Sequence, residues 1–258
     1  MNAPAIDISG PRHDYHFPKN YGEFTRKHLA IFSAWISGQP ADEARYLRFI
    51  VDFIGIPRKV WKKLDADQIF YFEIVDDQIK FMPDLDYLSK PYNNEKSLLR
   101  RIGLFWGPTD RLSNMSLEQV GFADNFSNSY SLEQNGKYLN LFFACAYQPF
   151  GLPFRTWLID LYAFCARFAR KDRKQTALRN YRGIHEAYRT IHPSVFKGKK
   201  VSKTAKFGYA GTIRKLAKTG IHGNEAQCKR VKYPDAMLTF DLNNIEIEEH
   251  EEEIRKKK

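Results

Sequence analysis

His185, Glu186 and His192 are the first side chains in this sequence that could hold a metal, because a zinc-protease helix sets a Glu beside one His and a second His four residues on. Here the second imidazole follows after seven residues, two helical turns, with no third ligand nearby in the chain. Helix-face packing, with His192 complementing the negative end of the helix dipole, is the better account. Gly208–Lys215 (GYAGTIRK) offers backbone amides at a helix start, where anions bind, but lacks the spacing of a phosphate loop. Ser113, Ser116, Ser127, Ser129 and Ser131 stand in no nucleophile elbow and suit caps and turns. Cys145 and Cys165 lie in apolar segments that suit burial, and the pairs Asp76-Asp77 and Asp84-Asp86 fit turns. No catalytic residue set, metal site or cofactor is therefore expected.

The feature furthest from the ordinary is charge. The chain has 258 residues and a net charge of +11. Residues 1–110 and 111–154 sum to 0 and −1, residues 155–232 hold 20 basic and 4 acidic side chains, and residues 233–258 hold 4 and 8. All of the excess sits in one stretch. Tyr181, Tyr188, Phe196, Phe207 and Tyr209 interleave with these cations as single-strand stacking partners would. The competing reading is a solvated face that docks an acidic protein, or this chain's own Glu246–Glu253.

The elements that must carry these residues are mostly helical. Tyr21–Ser37 and Pro40–Ile54 read as amphipathic helices, the second with Leu47, Ile50, Val51 and Ile54 on one side. Gln68–Met82 reads either as two short strands joined at Asp76-Asp77 or as a helix through Val75. Residues 83–110 read as irregular chain around a helical piece at Glu95–Ile102. Ser116 with Gln119 has capping-box spacing, so a helix starts there. Lys137–Tyr147 is apolar on nearly every side and should be a buried helix. Pro153 opens another, with Phe154, Trp157, Leu158, Leu161, Tyr162, Cys165 and Phe168 in one stripe.

A basic amphipathic helix follows, keyed by Leu178, Tyr181, Ile184, His185, Tyr188 and Ile191 up to Pro193. Arg179, Arg182 and Arg189 are expected on one exposed face of it. The expected division is a flexible arm over 1–20, a main helical domain over 21–192, a basic linker over 193–206, a small helical module over 207–245 and a charged tail over 246–258. In that module one helix carries Ile213, Leu216 and Ala217 and another covers Asn224–Phe240. The fold class is thus mainly α: a multi-helix domain, with a small β-hairpin near 70–82 if the strand reading holds, plus a short tethered C-terminal helical module.

The longest apolar run, LNLFFACAY, is far short of the roughly 20 residues that cross a bilayer. The first twenty residues lack the basic start and apolar core of a secretory signal. With three widely spaced cysteines, a cytoplasmic setting is expected.

Three pieces, LSNMSLEQVGFADNFSNSY, GKYLNLFFACAYQP and KFGYAGTIRKLAKTGIHGNEAQCKRVKYPDAMLTFDLN, together resemble tail-assembly-chaperone-type proteins from tail gene clusters of phages and phage-like elements. The resemblance implies a non-enzymatic factor that transiently binds an apolar helix of a long tail protein, in the host cytoplasm, by helix-in-groove docking. Its candidate contacts are Trp157, Leu161 and Phe168 with Arg179, Arg182 and Arg189, although core packing competes for the apolar three. The rival function is nucleic-acid binding through Lys197, Lys199, Lys200, Lys203, Lys206 and Tyr209.

Overall fold

The computed structural model describes residues 18, 20–36, 49, 52–53, 92–196 and 208–256, and the chain divides into two compact units, Met1–Ser89 and Lys90–Lys258. The expected N-terminal arm, most of the Pro40–Ile54 helix and the Gln68–Met82 segment lie outside the described residues. In the first unit, helix α1 (Arg26–Ile36) starts at a reciprocal cap. Thr25 Oγ1 accepts from the His28 amide at 3.3 Å, and the Thr25 amide donates to His28 Nδ1 at 3.2 Å. Its inner face joins an aromatic cluster in which Phe24 meets Phe53 edge-on at 5.3 Å and Trp35 stacks on Phe49 at 4.6 Å. Offset and edge contacts of this kind add to the burial energy of large rings.

The second unit is built of helices around a small antiparallel sheet. Helix α2 (Leu117–Glu133) starts at Ser116, whose hydroxyl accepts from the Gln119 amide at 3.2 Å. The other half of the capping box is absent, because Gln119 Nε2 donates instead to the Cys145 carbonyl at 2.8 Å. That bond ties the buried face of α2 to the end of α3 (Gly136–Ala146), which is apolar and buried from Leu141 to Ala146 as its composition requires. Strands β1 (Arg101–Ile102), β2 (Phe105–Trp106) and β3 (Gln148–Pro149) lie in that order, with Ile102 opposite Phe105 and Phe105 opposite Pro149. Gly103, at φ +59°, supplies the turn that joins the first two.

A hairpin therefore stands partly where a helical piece over Glu95–Ile102 was expected. Side chains explain the difference, since they take the amides a helix would have used. Lys96 N–H donates to Asn94 Oδ1 at 2.9 Å, Ser97 N–H to Asp110 Oδ1 at 2.7 Å, and Leu98 N–H to Asn180 Oδ1 at 3.1 Å.

After β3 a 3-10 turn (Thr156–Leu158) leads into α4 (Ile159–Ala166), which packs on α3 through Ile159, Tyr162 and Ala166. Helix α5 (Lys171–Ile191) buries Leu178, Tyr181, Ile184 and Tyr188 of the periodic set its sequence shows, with Ala187 beside them, while His185 is half-buried and Ile191 is exposed. The chain then turns into α6 (Pro193–Phe196), so the stretch expected as linker from 193 begins as helix; residues 197–207 lie outside the described set. Ser194 Oγ donates to an Asp241 carboxylate oxygen, and His192 Nδ1 lies 3.0 Å from the other, which clamps α6 onto the last helix of the chain, Tyr233–Lys256.

Helices α7 (Gly208–Lys218) and α8 (Glu225–Cys228) precede α9 (Tyr233–Lys256). Asn224 and Gln227 close a full capping box at α8, and the helix expected over Asn224–Phe240 breaks after Cys228. The break has a use. Leu117 N–H donates to Val231 O at 2.8 Å and Glu118 N–H to Lys229 O at 3.2 Å, so the turn between α8 and α9 satisfies amides that the start of α2 leaves unpaired. The helices after 207 thus share a unit with α2, and α9 runs helical through the charged tail to Lys256.

Gly183 shows how tightly α5 is seated, since a Cβ there would lie 2.1 Å from the Tyr92 ring. Gly183→Ala should cost roughly 1–3 kcal/mol through overpacking, read as a lower midpoint in urea unfolding with helical content retained.

Candidate protein-docking surface

Helix α4 carries apolar residues on two faces, and one face suffices to pack it on α3. On the other, Leu161 and Phe164 are 55% and 53% exposed, and Trp157 of the 3-10 turn before α4 and Phe168 of the turn after it extend the line at 78% and 81%, the four spaced four, three and four residues apart. The single stripe read from the sequence therefore divides: Tyr162 goes inward, while Trp157, Leu161 and Phe168 face solvent. Phe164, on the same periodicity, was the member not singled out. Exposed apolar residues lined up at helical spacing are what an interaction face looks like, in contrast to singly scattered ones.

The stripe is edged with cations. The Arg167 guanidinium sits 5.7 Å from the centre of the Phe164 ring, and Arg155, Lys171 and Arg173, close by in the chain, are exposed. Arg170 is engaged bidentately by Asp172 at 3.1 and 3.0 Å. Within 155–173 five basic residues face two acidic ones, so the rim is positive. A second exposed apolar group, Leu104, Trp106, Phe150 and Leu152, lies at the sheet.

Helix α4 is held in place from α5. Lys174, nearly buried, donates to the Ala166 carbonyl at 3.0 Å and to Asn140 Oδ1 at 2.6 Å, so one ammonium joins α3, the end of α4 and α5. Burial holds this lysine below its usual pKa.

Helix α5 is in turn fixed by a polar centre that the sequence reading missed. Asp124 of α2 accepts from the Tyr181 hydroxyl (2.7 Å, Oδ1) and from the Tyr209 hydroxyl (2.7 Å, Oδ2), and His185 Nε2 lies 3.2 Å from Oδ2. Tyr233 of α9 brings its hydroxyl within 3.1 Å of the same imidazole nitrogen. Burial pulls Asp124 upward, but the charge of His185 and hydrogen bonds from His185, Tyr209 and Tyr181 outweigh it and hold the carboxyl below its ordinary range. Burial first, then the Asp124 charge, pushes the Tyr181, Tyr209 and Tyr233 phenols well above theirs. Tyr209 reaches this centre because Gly121 has no side chain; a Cβ there would lie 2.6 Å from the ring.

A cleft of about 380 Å³ adjoins Tyr209, edged by the pairs Arg214–Glu225 at 3.2 Å and Lys229–Glu118 at 3.6 Å. His185 and His192 point to different carboxylates, Asp124 and Asp241, and among the described residues no group of three or more His, Cys, Asp or Glu side chains is placed to hold a metal. Burial pushes the Cys145 thiol up, away from the thiolate a nucleophile needs.

The other candidates fare differently from the stripe. Arg182 Nε donates to Ser127 Oγ at 2.9 Å and its guanidinium also binds Ser127 O and Ser131 Oγ, so it pins α5 to α2. Arg189 is exposed and pairs with Glu186 at 3.3 Å, while Arg179 is half-buried, so the three do not form one exposed face. The reason is the spacing, which places residue 179 some way round the helix from 182 and 189. Tyr209, expected to stack on bases, is committed to Asp124. Lys197, Lys199, Lys200, Lys203 and Lys206 lie outside the described residues. Among the described residues, no helix is long and apolar enough to cross a membrane.

Asp124→Ala would leave two phenols and an imidazole without their acceptor, and roughly 3–5 kcal/mol should be lost in urea unfolding at neutral pH. Because the folded-state carboxyl lies below its ordinary value, its stabilisation is complete above that value and lost as pH falls through the lowered one. An acid titration of stability should show this limb in the wild type and lack it in Asp124→Asn. The three phenols act in the opposite direction: their contribution is full below about pH 10 and is lost above it. Their phenolate absorbance should thus appear only with alkaline unfolding.

Comparison of the chain with protein-family models, with curated proteins and with solved structures finds no match.

Proposed function

We propose that this chain is a non-enzymatic assembly factor that binds an amphipathic helix of another protein on the exposed aromatic stripe that runs along α4 and the turns before and after it. The observation that carries the reading is the exposure of Trp157, Leu161, Phe164 and Phe168 at helical spacing beside a basic rim. A helix laid along such a stripe would bury its own apolar anchors at i, i+3, i+4 and i+7 against the aromatic rings, with acidic flanks facing Arg155, Arg167 and Arg173. The resemblance to tail-assembly-type proteins directs the search to long helical tail proteins in the cytoplasm of a phage-bearing host. Nucleic-acid binding is less well supported, since Tyr209 and Arg182 have internal partners.

The test is a photo-crosslinking phenylalanine analogue at position 168 in the full chain, with a second at position 238 on another helix for comparison. The expected product, formed in extract from the native host and insensitive to nuclease, is a protein cross-linked within an acidic amphipathic helix. Adducts that disappear with nuclease, and binding that falls steeply with salt as counterion release demands, would overturn the proposal in favour of nucleic acid.

A further inference from the structure

The second half of α9 is largely exposed. Residues 245–256 are exposed except for half-buried Glu248, a length of about 18 Å at 1.5 Å per residue. Phe240, at the edge of the core, is followed at intervals of seven by Ile247 and Ile254, each 45% exposed. The apolar line of α9 therefore continues past the surface it was packing on. Glu249 stands three and four residues before Glu252 and Glu253, spacings at which like charges repel on a helix. A helical end of this length is marginal in water by itself. Both defects, the uncovered isoleucines and the crowded carboxylates, would be relieved by an apolar surface with a positive rim.

The same chain displays that surface on α4. Leu161 of α4 and Phe168 of the turn that follows it are seven residues apart, as are Ile247 and Ile254 on α9. The rim of one is basic, through Arg155, Arg167 and Arg173, and the flanks of the other are acidic, through Glu246, Glu249, Glu251, Glu252 and Glu253. Both are exposed within one chain, so they are available to meet between chains.

We infer that the acidic overhanging end of α9 in one copy docks on the aromatic stripe of α4 in a second copy, head to tail. The inference rests on the stripe being a helix-binding face and names a helix that fits it. Because the two contacting patches differ, the interface is heterologous, and an open assembly keeps one free stripe at one end and one free tail at the other. Occupation by a second copy would shield the stripe until a partner helix displaces the tail.

Sedimentation of the purified full chain over a wide concentration range tests this, with two variants whose helical content is checked first. One is Trp157→Ser with Phe168→Ser, the other Ile247→Ser with Ile254→Ser. The wild type should gain mass with concentration, each variant alone should stay monomeric, and their equimolar mixture should recover a heterodimer through the one intact stripe and the one intact tail. Added salt should weaken the association by screening the charged rim. Self-association of the tail variant with loss in the stripe variant would mean stripe-to-stripe contact and overturn the inference, as would a mixture that remains monomeric. A wild type monomeric at every concentration, while a foreign helix still cross-links at position 168, overturns self-docking and leaves the docking face standing. Absence of both results removes the face as well.

Discussion

A carboxylate taken out of water has to regain its hydrogen bonds inside the protein, and Asp124 regains them from other helices: Tyr181 and His185 of α5 and Tyr209 of α7, with Tyr233 of α9 closing on the imidazole. Such a centre is unforgiving, because withdrawal of any partner leaves a buried polar group exposed to the low-dielectric interior. That makes it a device for fixing one arrangement of helices, whatever its net contribution to stability. Gly121 is part of the same constraint, since it lets the Tyr209 ring approach α2. The carbonyls of Lys229 and Val231, taken up by the first amides of α2, fix the same set of helices at a second point.

From this centre a line of contacts leads to the proposed docking face. Lys174 lies seven residues before Tyr181, hence on nearly the same side of α5, and its ammonium ends on the last carbonyl of α4. The buried residues Ile159, Tyr162 and Ala166 then leave α4 only one orientation, and that orientation turns Trp157, Leu161, Phe164 and Phe168 to solvent. At about 25 cal/mol per Å² of apolar surface removed from water, four such side chains hold a large unused driving force. Arg167 over the Phe164 ring screens part of it in the uncomplexed chain.

Periodicity made most of the second unit legible. The buried helix ending near Tyr147, the inner face of the basic helix and the helix start at Ser116 all follow from local spacing, which residues within a few turns decide among themselves. What escaped was decided across the chain. Gln119 had capping-box spacing, yet its side chain serves Cys145, 26 positions away. Residues 95–102 read as helical until Asp110 and Asn180 capture their amides. Asp124 was invisible because an acidic residue in a polar-looking helix carries no sign of burial; the one local hint was the i, i+4 pair Tyr181 and His185 on an otherwise apolar face. For the stripe, spacing read a single apolar line from Phe154 to Phe168, and only packing on α3 could divide it into buried Tyr162 and exposed Trp157, Leu161 and Phe168.

Net charge was the plainest number in the sequence and the one whose meaning the structure alters most. The excess of residues 155–232 reads as one polyanion-binding footprint only if its cations are interchangeable, and they are not. Lys174 is nearly buried, Arg182 is bound to Ser127 and Ser131, and Arg189, Arg214 and Lys229 each face a glutamate on the same chain. Lys174 and Arg182 hold helices together, and at each of these cations a phosphate would have to displace an existing partner. The exposed arginines edging α4 differ, because they stand beside apolar rings that themselves need covering. A partner that satisfies both must offer area to cover the rings and negative charge in one strip, as the proposed acidic amphipathic helix would.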